Sequence, residues 1–178
     1  MRRAILSVAA VAAGVIAVLV LSRRTSESPP VSAVRDWSRI ASGRLHLDMR
    51  TASPSAASEF FFERGIPFAV DPASLELPGY RLSGARVHAI AGRASALAVH
   101  RDARNKIVVC QRFEGRVEDL PRPDRTFARG PLESRLYRTR RGNAVFWQEG
   151  RVIRSLASDL PEKDLVALSH PRPSSAAP

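Results

Sequence analysis

From Ala4 to Leu21 the chain reads AILSVAAVAAGVIAVLVL, 18 positions without a charge. As a helix such a run spans about 27 Å, close to the roughly 30 Å hydrocarbon core of a bilayer. The competing reading is a cleaved signal peptide, with a shorter apolar region that ends at a small-x-small site. Here the run ends in Leu19-Val20-Leu21-Ser22-Arg23-Arg24, and cleavage at the small residues near Ala10 to Gly14 would cut the apolar stretch in half. An uncleaved transmembrane helix is therefore expected. Arg2 and Arg3 on one flank nearly balance Arg23 and Arg24 on the other under the positive-inside rule. With only Met1, Arg2 and Arg3 ahead of the run, the expectation is that this short end stays inside. The chain would then be a single-pass protein of the cytoplasmic (inner) membrane, inserted through residues 4–21, with a periplasmic C-terminal domain.

This divides the chain into an anchor with short flanks (1–24), a linker and short amphipathic helix (25–43), one α+β domain (44–170) and a disordered tail (171–178). The domain is near the commonest single-domain size and long enough for one core. A net charge of +11 raises nucleic-acid binding, since cationic side chains neutralise phosphates. Yet only Lys106 and Lys163 are lysines, and the arginines are dispersed, with Arg135, Arg138, Arg140 and Arg141 the single dense group. No nucleic-acid partner is expected. The one cysteine, Cys110, excludes an intrachain disulfide and sits in an apolar run, where a buried and inert thiol is expected.

Val34, Trp37 and Ala41 recur at helical spacing before Gly43, a natural C-terminal cap. Arg44 to Arg50 alternates strictly, Leu45, Leu47 and Met49 against His46, Asp48 and Arg50, which predicts a strand. Ser53-Pro54 starts a second helix and Gly65 stops it, with Ala57, Phe60 and Phe61 on one face and the run Phe60 to Phe62 read as core. After Gly79 come short strand-like runs: Tyr80–Ala91, Ala94–His100, Lys106–Phe113, Arg135–Arg140, Asn143–Gln148 and Arg151–Ala157. They predict an antiparallel meander, with turns at Gly92-Arg93, Ala103–Asn105 and Glu149-Gly150. A parity shift between Leu82 and Val87 places a β-bulge at Gly84. Glu114 to Pro131 reads as a long loop. Asp159-Leu160-Pro161-Glu162 offers a capping box for a last helix, with Leu160, Leu165 and Leu168 on one arc. The predicted fold class is α+β: a transmembrane helix, then an antiparallel β-meander domain with two or three short packing helices. Of Phe146 and Trp147, which point to opposite faces of their strand, Trp147 is expected in the core.

Chemistry is hard to find. His46, His88, His100 and His170 are scattered, and none stands at a metal-ligand spacing from another or from Cys110. Ser83 lacks a nucleophile elbow, and no phosphate loop occurs. The paired acids Glu118-Asp119 and Asp159/Glu162 fall in loops or caps. His88 and His100 could face each other across the first hairpin as a pH switch, although solvated strand histidines are the commoner case. No catalytic, cofactor or metal residues are assigned, and an enzyme is not expected.

The order of elements resembles the extracytoplasmic domain of transmembrane anti-sigma factors. The matching stretches are LHLDMRTASPSAASEFFFERGIPF, LPGYRLSGARVHAIAGRASALAVHR, KIVVCQRF and GNAVFWQEGRVIRSLASDLPEKDLVALS, which together cover most of Leu45 to Ser169. Gly84, Arg86, Gly142, Trp147, Asp159 and Leu160 stand where the family's pattern has its Gly-x-Arg strand, its Gly-to-Trp hairpin and its Asp-Leu-Pro helix. The resemblance implies a structural role for these six and a regulatory role in envelope signalling to an extracytoplasmic-function sigma factor. It also implies a partner, another membrane or periplasmic protein. The family's cytoplasmic sigma-clamping domain would have to come from an upstream extension or a separate sigma-binding subunit, because three residues cannot supply the roughly 800 Å² that an ordinary regulatory interface buries on each partner. The rival expectation is a structural or assembly accessory protein of the bacterial envelope with no transcriptional role.

Overall fold

The structure, a computed structural model, describes residues 27–129 and 132–169. The expected anchor and the expected disordered tail lie outside them, as does His170. No helix among the described residues is long and apolar enough to cross a membrane.

Helix α1 (Pro29–Ala41) is followed by α2 (Pro54–Glu63), a 3₁₀ turn (Pro72–Leu75) and strands β1 (Arg81–Ile90), β2 (Arg93–Arg101) and β3 (Ile107–Glu114). A second 3₁₀ turn (Val117–Asp119) leads to β4 (Arg125–Arg129), β5 (Leu132–Thr139), β6 (Gly142–Glu149), β7 (Val152–Ser158) and α3 (Glu162–Ser169). The α+β class expected from the sequence is what the chain adopts. All seven strands form one antiparallel sheet in the order β1-β2-β3-β7-β6-β5-β4.

That order corrects the simple meander. After β3 the chain crosses to the far edge of the sheet and returns strand by strand until β7 pairs with β3. The strand it lays at that edge, β4, lies inside Glu114 to Pro131, read as loop. Pro121, Pro123 and Pro131 mask it in the sequence, but all three lie outside Arg125–Arg129. An arginine-rich edge strand needs a partner on one side only, so it carries little of the hydrophobic alternation that marks a central strand.

Both faces of the sheet are covered. On one, α2, the turn Pro72–Leu75 and α3 pack over Leu82, Ala85, Ala96, Ala98, Val108, Cys110, Val145, Trp147 and Leu156. On the other, α1 packs over Leu97, Val99, Val109, Phe113, Phe146, Ile153 and Ala157. Trp147 is core as expected, but Phe146 is just as buried, since a sheet covered on both sides leaves neither residue of such a pair to solvent.

Helix α1 buries Ala33, Val34, Trp37 and Ile40, while Ala41, assigned to the apolar stripe, is exposed. The Trp37 indole N–H donates to the Ile107 carbonyl at 3.0 Å, and Gly43 takes a φ of +70° beyond the helix end. In α2 the Ser53 hydroxyl accepts from the Ala56 amide at 3.2 Å, and Gly65 ends the turn at φ +72°. Phe60 and Phe61 are buried as expected; Phe62 is 83% exposed, so the triple phenylalanine is core at two positions only.

Residues 44–50 do not form the predicted strand. Burial does alternate, with Leu45 buried and Leu47 and Met49 half-buried, but the segment makes just one bridge, Met49 with Ala85. The amides of Asp48 and Met49 converge on the single Ala85 carbonyl, and the Asp48 carboxylate takes the Val87 amide that a paired backbone would have bonded. The bulge at Gly84 is where the parity shift placed it. The first hairpin turns at Ala91-Gly92, one residue earlier than read, with φ of +49° and +79° at the two central positions, the backbone hand that two-residue hairpins favour. At α3, Leu165 is fully buried and Leu160 and Leu168 pack partly, but the capping box is absent. Asp159 pairs with Lys106 (3.0 Å), and Glu162 turns to Arg138 and Arg125.

Candidate functional site

An antiparallel hairpin fixes which side chains meet. The turn between β2 and β3 centres on residue 104, so Ala98 faces Cys110 and His100 faces Val108. Cys110 is thus the diagonal neighbour of His100 on the same face, within reach of a ring. The imidazole Nδ1 lies 3.5 Å from the Cys110 sulfur, and both residues are buried. Metal-ligand spacing gives no sign of this contact, and His100 is buried where a strand histidine was expected to be solvated.

The other ring nitrogen is also committed. His100 Nε2 lies 2.6 Å from the Leu75 carbonyl, to which only an N–H can donate, and this leaves Nδ1 to deal with the sulfur. Burial pushes the imidazole down, but attraction and hydrogen bonding to Cys110, with the Leu75 carbonyl, outweigh it and leave His100 raised. Burial likewise pushes the thiol up, and His100 with Arg112 and Arg154 reverses this, leaving Cys110 lowered. Both shifts favour a thiolate facing an imidazolium.

Two arginines complete the cluster. Arg112, two residues beyond Cys110 on β3, is buried, and Arg154 stands opposite it on β7. Both guanidiniums donate to the Ser74 carbonyl, Arg154 at 2.9 Å. Burial, then repulsion from Arg154, lowers Arg112 to about 10. Arg154 has a carboxylate, Glu149, at 2.8 Å and lies over the Trp147 ring at 5.2 Å. Arg112 has no carboxylate within 4 Å among the described residues. The lid over the cluster is therefore the turn Pro72–Leu75, held by three basic side chains from β2, β3 and β7 through two adjacent carbonyls.

The opposite face carries a second polar cluster. Asp36 of α1 is fully buried, with Gln111 Nε2 at 3.0 Å, His88 Nε2 at 3.1 Å and Arg35 at 3.6 Å. The His88–His100 pair that the first hairpin could allow does not form: His88 is opposite Ser95, His100 opposite Leu82, and the rings lie on opposite faces. In the sequence Arg35, Asp36 and Arg39 simply fall between the apolar positions Val34, Trp37 and Ala41.

The six motif residues make contacts within the domain. A Cβ on Gly84 would lie 2.6 Å from the Leu47 side chain and closer still to the Met49 carbonyl oxygen. Arg86 donates to the His46 carbonyl at 2.7 Å and pairs with Asp48 at 3.2 Å, so Gly84 and Arg86 together clamp residues 46–49 to β1. A Cβ on Gly142 would meet the Ser158 carbonyl at 2.7 Å and the Trp37 ring at 3.2 Å. Trp147 donates to Glu149 at 2.9 Å; the Leu160 carbonyl accepts from Asn143 at 3.0 Å. His46 is exposed, and within the dense arginine group Arg135 pairs with Glu133 and Arg138 with Glu162. Among the described residues no group of three or more His, Cys, Asp or Glu side chains is placed to hold a metal. No family model, curated protein or solved structure matches the chain.

Proposed function

We propose that the chain is a membrane-anchored regulatory protein of the anti-sigma-factor type, acting through its folded domain in envelope signalling to an extracytoplasmic-function sigma factor. In this reading residues 4–21 span the cytoplasmic membrane, the α+β domain is periplasmic, and the output passes to a partner that contacts the sigma factor. The observation that carries it is the seating of α1. This helix follows the apolar stretch in the chain, and it is fixed to the sheet by buried Asp36, the Trp37 indole and the apolar residues Ala33, Val34 and Ile40. Pulling a buried carboxylate from its partners costs several kcal/mol, so a helix held this way moves with the domain rather than trailing as a loose tether. A partner that displaces the domain would displace α1 with it.

The test is a deletion of residues 31–178 with sigma-dependent transcription as the readout, together with cross-linking in intact membranes. The expected result is altered transcription under envelope, metal or oxidative stress and capture of a second membrane protein. Capture of a partner with transcription unchanged under all three stresses would refute the signalling role and leave a scaffold.

A further inference from the structure

We propose that Cys110 is a modification site for small peroxides, primed by His100 and Arg112 and reported through the turn Pro72–Leu75 that covers it. Only the reporting rests on the sensor reading above; the chemistry stands on the cluster.

The geometry supplies what a reactive thiol needs. Cys110 has a base at 3.5 Å whose far nitrogen is held by a carbonyl at 2.6 Å, the arrangement by which an orienting group fixes a base toward its nucleophile. Independently, Arg112 is a buried guanidinium with no carboxylate within 4 Å among the described residues. A buried cation is costly unless offset, and the sulfur two residues earlier on the same face joins the more distant Glu149 and Asp71 in offsetting it. Cys110 also keeps 9% of its surface in contact with solvent. A groove of about 520 Å³ runs along the outer side of Leu75, Leu77, Tyr80 and Leu82, and Leu82 is the cross-strand neighbour of His100. A molecule the size of hydrogen peroxide in that groove is separated from the cluster by the side chains of Leu75 and Leu82.

In the reaction the Cys110 thiolate attacks one peroxide oxygen. A sulfur–oxygen bond forms and the oxygen–oxygen bond breaks. The sulfur is oxidised to sulfenic acid and the peroxide reduced, the departing hydroxide taking the His100 proton and leaving as water. The charge pair becomes neutral, and an extra oxygen sits under the lid. The lid depends on His100 at Leu75 and on Arg112 and Arg154 at Ser74, so it is the element that responds.

The experiment treats the full-length protein in detergent micelles with hydrogen peroxide and traps sulfenic acid with dimedone for mass spectrometry across a pH series. A free thiol, with a pKa near 8.5, loses about tenfold in rate per pH unit below it. The wild-type rate is expected to fall less steeply below about pH 8 than that of free cysteine, with the thiolate's ultraviolet absorbance persisting to lower pH than for free cysteine and absent from Cys110→Ser. Faster amide exchange at Ala73 to Leu77 should follow oxidation. His100→Gln, if its denaturation midpoint shows it folded, should restore the steep profile; the wild-type profile and absorbance decide the matter if it is not. An adduct seen only after denaturation, or a wild-type profile that tracks free cysteine, overturns the proposal. Intact thiol chemistry with no transcriptional consequence of the deletion would refute the sensor reading alone.

Discussion

Gly84→Ala tests the clamp between β1 and residues 46–49. The new methyl would meet the Leu47 side chain at 2.6 Å and press on the Met49 carbonyl, and the latter is backbone, which cannot swing aside. The segment must retreat. Three backbone hydrogen bonds hold it: the Asp48 and Met49 amides to the Ala85 carbonyl at 3.1 and 3.0 Å, and the Ala85 amide to the Met49 carbonyl at 2.8 Å. Such bonds contribute about 1 kcal/mol each net, and forced overpacking costs about 1–3 kcal/mol, so losing part of the set predicts a destabilisation of about 2–4 kcal/mol. With a slope of about 2 kcal/mol per molar urea, the midpoint should fall by roughly 1–2 M. The two tryptophans, Trp37 on one face and Trp147 on the other, report unfolding by fluorescence. Gly65→Ala is the control: its Cβ meets nothing within 4 Å, and its cost is confined to the left-handed backbone at φ +72°. Amide exchange at Ala85 separates the two, since only the Gly84 variant should lose protection there. A midpoint no lower than that of Gly65→Ala, with the Ala85 amide still protected, would refute the clamp.

Trp147→Ala and Phe146→Ala should each cost about 3–5 kcal/mol by circular dichroism melts, because both faces are packed; a mild effect at either one would mean that face is open. Glu149 sets a pH dependence: burial pushes its carboxyl up, but the Trp147 indole and Arg154 outweigh this and hold it below its ordinary 4.5. The stability it gives is complete above that value and lost as pH falls through the folded one, so Glu149→Gln should flatten the acid limb of the denaturation profile. Parallel limbs would refute that assignment. If residues 4–21 are an anchor, the protein should resist alkaline extraction and a periplasm-dependent reporter fused after Ser169 should be active; a shortened soluble product, or a reporter active only in the cytoplasm, would overturn the topology.

The sequence disclosed what depends on a residue's immediate neighbours. Ser53-Pro54 and Gly65 bounded a helix, and the parity slip across Ser83-Gly84 located the bulge, because capping and pleating are local. The partner of β3 is β7, which follows the excursion through β4 to β6, and no local pattern records that choice. Residues 44–50 show the converse: the alternation was real, yet Asp48 spent its carboxylate on the Val87 amide and replaced a ladder with a clamp. The His100–Cys110 contact was within reach, since centring the β2–β3 turn on residue 104 puts the two on one face. Metal-ligand spacing along the chain was the wrong measure for residues that meet across strands. Asp36 and Arg112 gave no such opening, because a charged residue inside an amphipathic segment reads as solvent-facing until a second layer is known to cover it.

The crossing from β3 to the far edge also orders events in time. As the chain emerges from synthesis, β1 to β3 can zip into a hairpin pair at once, but the second edge of β3 has no complement until residues 152–158 arrive. Through all of 115–151 that edge, which runs from Val109 to Glu114, is an open template for any other extended segment. The last strand laid down is the one that joins the two halves. A lesion that removes or delays β7 therefore leaves a half-sheet with an adhesive rim, and truncations after Glu149 should aggregate where truncations after Ser158, which lose only α3, should not.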